Sequence, residues 1–503
     1  MKEASRKTAI SLFIFRFFRL LVSVAILSVS ARFFGVGLER ESWILCLNFV
    51  VVLQLALWGP LNETFRAKFI FIKSSEGEDV ALQKAASLLW FSIIIMTTVV
   101  LVFELIAMPI SKLIAPSFSG NDLIALCSLL RYLLWTAIIT QCVQLLSSLL
   151  NTYNSFYLPE ISGFIAAIFN LLIVVLLSGK IGIYSFLVAN YVSSFILLIA
   201  LLYQIRKLNI PLFSQRLSIR WKTVSPFILY ALPFFLPYII GQCNSLIEKS
   251  VANYIGRSSV SIIDYAKKIS DIVQTVLTSV LATIMVPILS AKFVEGKMNL
   301  VAEESKKYIQ LILLILSFII PMMVLCSNAL TDILYNKGTI KSEELSQISI
   351  LIKLYGISLL GIFAYLIFGL ILLSINKNKQ YAFFGMVAQI IMILVNFLCW
   401  KFFGIYTFVI ALSVSHFISA GILFFLLPFP KKEIGRSLGK YAGLILIIIL
   451  AVFYLNKLYL PVNPFLQIIV NIFWVSLLGV VLAVLFKLPE VEQLKSIVKK
   501  KSF

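Results

Sequence analysis

The chain has 503 residues, 61% of them hydrophobic and 13% charged. A single globular core stops growing at about 250–300 residues, so a soluble fold has no use for this much apolar sequence. The net charge of +21 would suit nucleic acid by magnitude alone, but its placement along the chain excludes that reading.

The predicted elements are apolar runs long enough to cross a bilayer as helices. In chain order they fall at about 10–34, 43–59, 88–109, 124–148, 157–178, 182–204 and 226–250, then at about 259–291, 308–327, 349–374, 381–400, 403–427, 441–456 and 464–486. With the N-terminus inside, the inner segments hold 27 of the 43 Lys and Arg and the outer loops hold 8. That is the bias of cytoplasmic loops, with both termini cytoplasmic, and the basic excess is a topology signal that also suits contact with anionic lipid. Arg16 and Arg19 interrupt the first apolar run and no small-residue cleavage site follows. The first helix is therefore expected to be retained rather than removed as a signal. The six cysteines lie in or beside apolar spans without CxxC or CxxH spacing, which makes them packing residues.

The chain also repeats itself. Gly182-Ile183-Tyr184-Ser185-Phe186 returns 222 residues later as Gly404-Ile405-Tyr406-Thr407-Phe408, and Ala189, Val192, Ser193, Phe195 and Ile196 meet Ala411, Val414, Ser415, Phe417 and Ile418. At nearly the same offset, Ala31-Arg32-Phe33-Phe34-Gly35 faces Ala252-Asn253-Tyr254-Ile255-Gly256. Six spans separate the copies, so both lobes point the same way, as in transporters whose binding site lies where two repeats meet. The expected fold is an all-α polytopic membrane protein of 14 transmembrane helices. Two six-helix lobes, 1–204 and 226–427, are related by a pseudo-two-fold. A basic linker, 205–225, joins them, two further helices occupy 428–487, and the tail 488–503 reads as an amphipathic surface helix.

A charge at the bilayer centre costs roughly 2.5–3.5 kcal/mol on insertion scales, so it must face protein or water. Eight basic residues fall in spans, and six of them belong to the first, seventh and eighth. In the first, Arg16, Arg19, Ser23 and Ser30 form one polar stripe. The seventh has Gln242, Ser245 and Lys249. In the eighth, Asp264, Lys267, Lys268, Asp271, Gln274, Thr275 and Thr278 keep to one helix face, and Asp264–Lys268 and Lys267–Asp271 are i,i+4 pairs. Arg16 reads as an interfacial residue. Arg32, Arg131 and Lys353 fit either an interface or a cavity. Lys249, Lys267 and Lys268 read as cavity walls. Their sum is cationic, which favours an anionic cargo such as a pyrophosphate. His416 reads as a packed polar residue. No acidic cluster has metal-site spacing and no GxxxxGK[ST] loop is present. Neither metal nor nucleotide cofactor is expected, and the chain reads as a transporter rather than an enzyme.

Several stretches resemble the MurJ (MviN) lipid II flippases of the multidrug/oligosaccharidyl-lipid/polysaccharide exporter superfamily. They are Ala31 to Gly35; Leu150-Asn151 with Phe156 and Pro159; Gly256 to Ser290, including Ser259-Val260-Ser261, Tyr265-Ala266 and Pro287-Ile288-Leu289-Ser290; and Leu334-Tyr335-Asn336-Lys337-Gly338. The resemblance covers roughly residues 10–430 and rests on order and spacing. It implies that Arg19, Lys268 and Glu41 stand at the family's headgroup positions. The family's later Arg-Asp pair in the first span reads Ile26-Leu27 here. Its double arginine and its Glu-Gly pair in the second span read Leu53-Gln54 and Trp58-Gly59.

Together these readings predict a flippase that moves a polyprenyl-pyrophosphate-linked glycan such as lipid II from the inner to the outer leaflet of a bacterial inner membrane. The alternative is export of another lipid-linked oligosaccharide, such as an O-antigen, capsule or teichuronic unit. Arg19, Arg32, Glu41, Lys249, Lys267 and Lys268 are the expected substrate contacts, with Asp264 and Asp271 orienting the lysines. Expected partners are the glycan lipid and membrane lipids, not nucleic acid, with a Na⁺ or H⁺ coupling ion left open.

Overall fold

The computed structural model describes residues 2–153, 155, 157–213, 219–459, 461–486 and 488, and the side chains of 2–14 and of Thr283 are not considered. The described residues form α-helices from end to end. They are α1 (Lys2–Phe34), α2 (Leu38–Glu76), α3 (Glu78–Leu105), α4 (Ala107–Ile114), α5 (Gly120–Leu134), α6 (Thr136–Thr152), α7 (Tyr157–Ile181), α8 (Tyr184–Lys207) and α9 (Trp221–Ile255), then α10 (Ser259–Val294), α11 (Met298–Leu325), α12 (Ser327–Tyr335), α13 (Ser342–Ser374), α14 (Asn378–Phe403), α15 (Thr407–Leu426), α16 (Lys431–Leu458) and α17 (Pro464–Leu485).

Length and composition mark 13 of the segments as able to cross a membrane. One of these, Asn378–Leu426, is 49 residues long and is two helices, α14 and α15, joined by a 3-10 turn at Gly404–Tyr406. Resolving it gives the fourteen spans expected from the sequence, with α5 and α6 forming one of them across a break at Trp135. The helices outrun the apolar runs. The second span was expected at 43–59, whereas α2 continues for 39 residues to Glu76. Its added turns carry Asn, Glu, Arg and Lys, which keep the backbone helical beyond the roughly 20 residues a bilayer needs. The short helices α4 and α12 were not anticipated. Each follows a long span directly, so neither separates from it in a hydropathy pattern.

The chain forms two compact units, Met1–Ser261 and Ile262–Phe503. In the first, α2 is the hub and packs on α3, α5, α6 and α9, while α7 pairs with α8 and carries α1. Aromatic rings fill these seams. Phe65 stacks on Phe227 at 5.2 Å and Trp43 meets Phe186 at 5.4 Å. Gly59 permits the approach of α9, since a Cβ there would lie 2.5 Å from the Tyr238 ring. In the second unit, α13 is the hub, packed on α11, α12, α14 and α15, and α16 and α17 pack on α11. The outer surfaces carry large exposed apolar side chains such as Leu176, Phe402 and Leu485, as a lipid solvent permits. The six cysteines are free thiols.

Repeated sequence gives repeated backbone at one pair of turns. Gly182 and Gly404 both adopt left-handed conformations, with φ of +58° and +53°. The amide of Ser185 donates to the carbonyl of Gly182, and that of Thr407 donates to Gly404. The tail beyond Leu488, expected as a surface helix, and Arg216 of the expected linker lie outside the described residues.

Candidate functional site

On α1, Arg16 is held by α7. Its Nε donates to Glu160 Oε1 at 2.9 Å, which takes up the charge in an ion pair at the exposed edge. Arg19, one turn on, is exposed, and Gly163 leaves room for it: a Cβ at that position would meet its guanidinium at 3.1 Å. Arg32 is exposed near the end of α1, 5.9 Å from the Phe33 ring.

Glu41 lies fully buried in the first turn of α2. Its carboxylate accepts the backbone amides of Ser258 at 3.0 Å and Val260 at 3.3 Å, capping the start of α10. A helix N-terminus leaves amides without intrahelical acceptors, and a carboxyl oxygen can accept from them. Glu39, two residues earlier, does the same for α8, accepting the amide of Ile183 at 3.2 Å. One turn of α2 thus fixes where two other helices begin.

On α9, Gln242, Ser245 and Lys249 are half-buried. The Ser245 hydroxyl donates to Asn48 Oδ1 at 2.9 Å, and Asn48 Nδ2 returns a longer bond to the Ser245 carbonyl at 3.4 Å. This pair sets the rotation of α9 against α2 and therefore the direction of Lys249, one turn further. On α10, Asp264, Lys267, Lys268 and Asp271 are all half-buried, and Asp264, Lys267 and Asp271 are each engaged by a partner. Just ahead of the lysines, Tyr265 is fully buried with its ring 4.6 Å from that of Tyr335, whose hydroxyl donates to the Tyr265 carbonyl at 3.0 Å. Two stretches far apart in sequence, Tyr265-Ala266 and Leu334 to Gly338, thereby meet and lock the turn that carries Lys267 and Lys268. His416 donates from Nδ1 to the Leu412 carbonyl at 2.8 Å and stands edge-on to Tyr365, so it is a packed, hydrogen-bonded residue with its Nδ1 proton assigned.

Sequence reasoning missed Asn48, Glu39 and the reciprocal Asn62–Gln141 amide pair between α2 and α6. Single amides within apolar helices carry no pattern, and the only available signal was the rarity of polar groups at those depths.

A fourteen-span helical protein whose intramembrane cations stand mainly on α1, α9 and α10 is a multi-pass membrane transporter. Comparison with known proteins narrows that class. The sequence model of the lipid II flippase MurJ family matches residues 30–471, and the chain belongs to that family. It is 23% identical over 460 residues, 88% of this chain and 87% of the relative, to a probable lipid II flippase MurJ of Borreliella burgdorferi. Among solved structures it resembles a lipid II flippase MurJ in an inward closed conformation, with a TM-score of 0.79 and 18% identity over 95% of this chain and 98% of the other. An inward-facing multidrug resistance MATE family transporter of the MOP superfamily matches with a TM-score of 0.67 and 15% identity, over 84% of this chain and 96% of its own. These two likenesses concern the fold.

Proposed function

We propose that this protein flips lipid II, a polyprenyl-pyrophosphate-linked peptidoglycan precursor, from the inner to the outer leaflet of a bacterial cytoplasmic membrane by alternating access. Membership in the lipid II flippase family supports the substrate class. The observation that carries the binding chemistry is the placement of cations: Arg19 on α1, Lys249 on α9, and Lys267 and Lys268 on α10, within helices long and apolar enough to cross a membrane. A pyrophosphate is the part of such a substrate that cannot cross hydrocarbon unaided, and lysine and arginine are the side chains that replace its hydration.

In this reading Arg19, Lys249 and Lys268 contact the pyrophosphate, and Arg32 and Lys267 add to the positive field. Asp264 and Asp271 hold the lysines in place, and Glu41 acts through the backbone it caps. The prenyl tail stays in lipid, because burying it in a polar chamber gains nothing. Both termini face the cytoplasm, and a Na⁺ or H⁺ gradient is the natural source of drive in a chain without a nucleotide loop. A second reading, export of a different lipid-linked oligosaccharide, draws support from the apolar residues Ile26, Leu27 and Leu53 at positions where the family resemblance would have charges.

Complementation tests both. Expression in cells depleted of their own lipid II flippase is expected to restore growth, and Lys268→Glu to abolish rescue while membrane insertion is unchanged. Failure of the wild type to rescue, together with loss of another surface glycan when this protein is removed from its host, would transfer the assignment to the second reading.

A further inference from the structure

A separate basic site lies in the second unit. A cavity of about 290 Å³ opens between the N-terminal parts of α11 and α16. Lys306, Arg436 and Lys440 line it, and Gln310, Ser437 and Tyr441, all buried, form its floor. Among the described residues that line it, three cations face one acid, and Lys306 Nζ lies 2.5 Å from Glu433 Oε2. The floor is pre-set by neutral donors, with Gln310 Nε2 3.3 Å from Ser437 Oγ and the Ser437 hydroxyl donating to the Glu433 carbonyl at 3.1 Å. The positive end of the α16 dipole adds to the field. A cavity this small suits a single headgroup rather than a sugar chain.

The surface of α16 leading away from the cavity tells a lipid from a soluble anion. A Cβ at Gly439 or Gly443 would meet nothing within 4 Å. The same helical face continues through Leu446, Ile447 and Leu450, all exposed. A basic pocket therefore opens onto a shallow apolar track running along the membrane-crossing part of the helix.

We propose that this pocket binds the phosphate of an anionic phospholipid, with an acyl chain lying along the Gly439–Leu450 face. Arg436 and Lys440 grip the phosphate, the second Nε2–H of Gln310 offers a neutral hydrogen bond beneath it, and Lys306 is shared between the phosphate and Glu433. The site shares no residue with the cations on α1, α9 and α10 and marks α16, a helix outside the internal repeat, as a lipid anchor.

Native mass spectrometry of the full-length protein, titrated with phosphatidylglycerol, tests this without any transport readout, so its outcome is independent of the flippase assignment. Each basic residue near an anionic lipid is worth about 1 kcal/mol, so Arg436→Ala with Lys440→Ala is expected to weaken binding about thirty-fold. Glu433→Gln is expected to tighten binding several-fold, an opposite change that misfolding would not produce. Lys431→Ala with Lys432→Ala, which removes equal charge outside the cavity, is expected to leave most of the binding intact. Equal loss in both double variants, equal binding of phosphatidylcholine, or displacement by inorganic phosphate at concentrations comparable to the lipid would each overturn the proposal, the last in favour of a soluble phosphate site.

Discussion

The internal repeat sets α2 against α10, and the two helices have been put to opposite uses. Their first residues, Leu38 and Ser259, fall at the same offset as the Ala31 and Ala252 echoes. Carried across, Trp43, Cys46, Leu47 and Val50 of α2 stand where α10 has Asp264, Lys267, Lys268 and Asp271. In α2, Trp43, Cys46 and Val50 are buried and the helix is the hub of its unit. In α10 the same positions carry the densest group of intramembrane charges. Of two helices in matching sequence register, one serves packing, and the other carries the charges to which the proposed function assigns substrate contact. The turns leading into them diverged as well. Gly35 takes the left-handed conformation at φ +54°, whereas on the other side that role has passed from Gly256 to Ser258, at φ +75°. A serine there is strained by roughly 1–3 kcal/mol, and it is the residue whose amide Glu41 holds.

The largest expected effect comes from making α10 resemble α2. Lys267→Leu with Lys268→Leu should insert normally and lower rescue of flippase-depleted cells by about 100-fold, on the scale of losing partly desolvated charge contacts. Undiminished rescue would detach function from the asymmetry. Next, Glu41→Ala strips the acceptor from one buried and one part-buried amide and should destabilise the protein by roughly 2–4 kcal/mol, read as a lower melting temperature in detergent. An unchanged melting point would show that the cap is replaced by water.

A smaller effect compares the matching turns. Alanine at Gly404 meets no neighbour within 4 Å and should cost only the left-handed backbone penalty, about 1–2 kcal/mol. Alanine at Gly182 should cost more, because its Cβ would also press to 3.2 Å from Glu39 Oε2. Equal melting shifts would mean that Glu39 moves aside freely. Smallest of all, Arg16→Ala removes an exposed ion pair with Glu160 and should change stability by less than about 1 kcal/mol. A larger loss, or a loss of rescue, would place Arg16 with the functional cations.

Most of the architecture was legible because a bilayer enforces it. Each crossing needs about 20 apolar residues, which leaves a run in the sequence for each span. The charged helices were legible for the same reason, since Lys249, Lys267 and Lys268 are costly enough in a span to require an explanation. The supports of those charges were not legible. Glu41 resembles any acid at a helix start, and nothing along the chain connects it to Ser258. Tyr265 and Tyr335 are 70 positions apart, and their contact depends on a short helix, α12, that blends into the preceding hydrophobic run. Rotation about a helix axis is set by such long-range pairs, and so is the direction in which a lysine points.

The three prolines of α9, at 226, 233 and 237, have a consequence for motion. Each lacks the amide that would close a turn onto the carbonyl four positions earlier, leaving Lys222, Leu229 and Pro233 without those bonds. Its counterpart α1 contains no proline. Flexing α9 thus breaks fewer hydrogen bonds than flexing any unbroken rod of equal length. A conformational cycle that must bend something would spend least by bending there, swinging Lys249 on the far side of a ready-made joint.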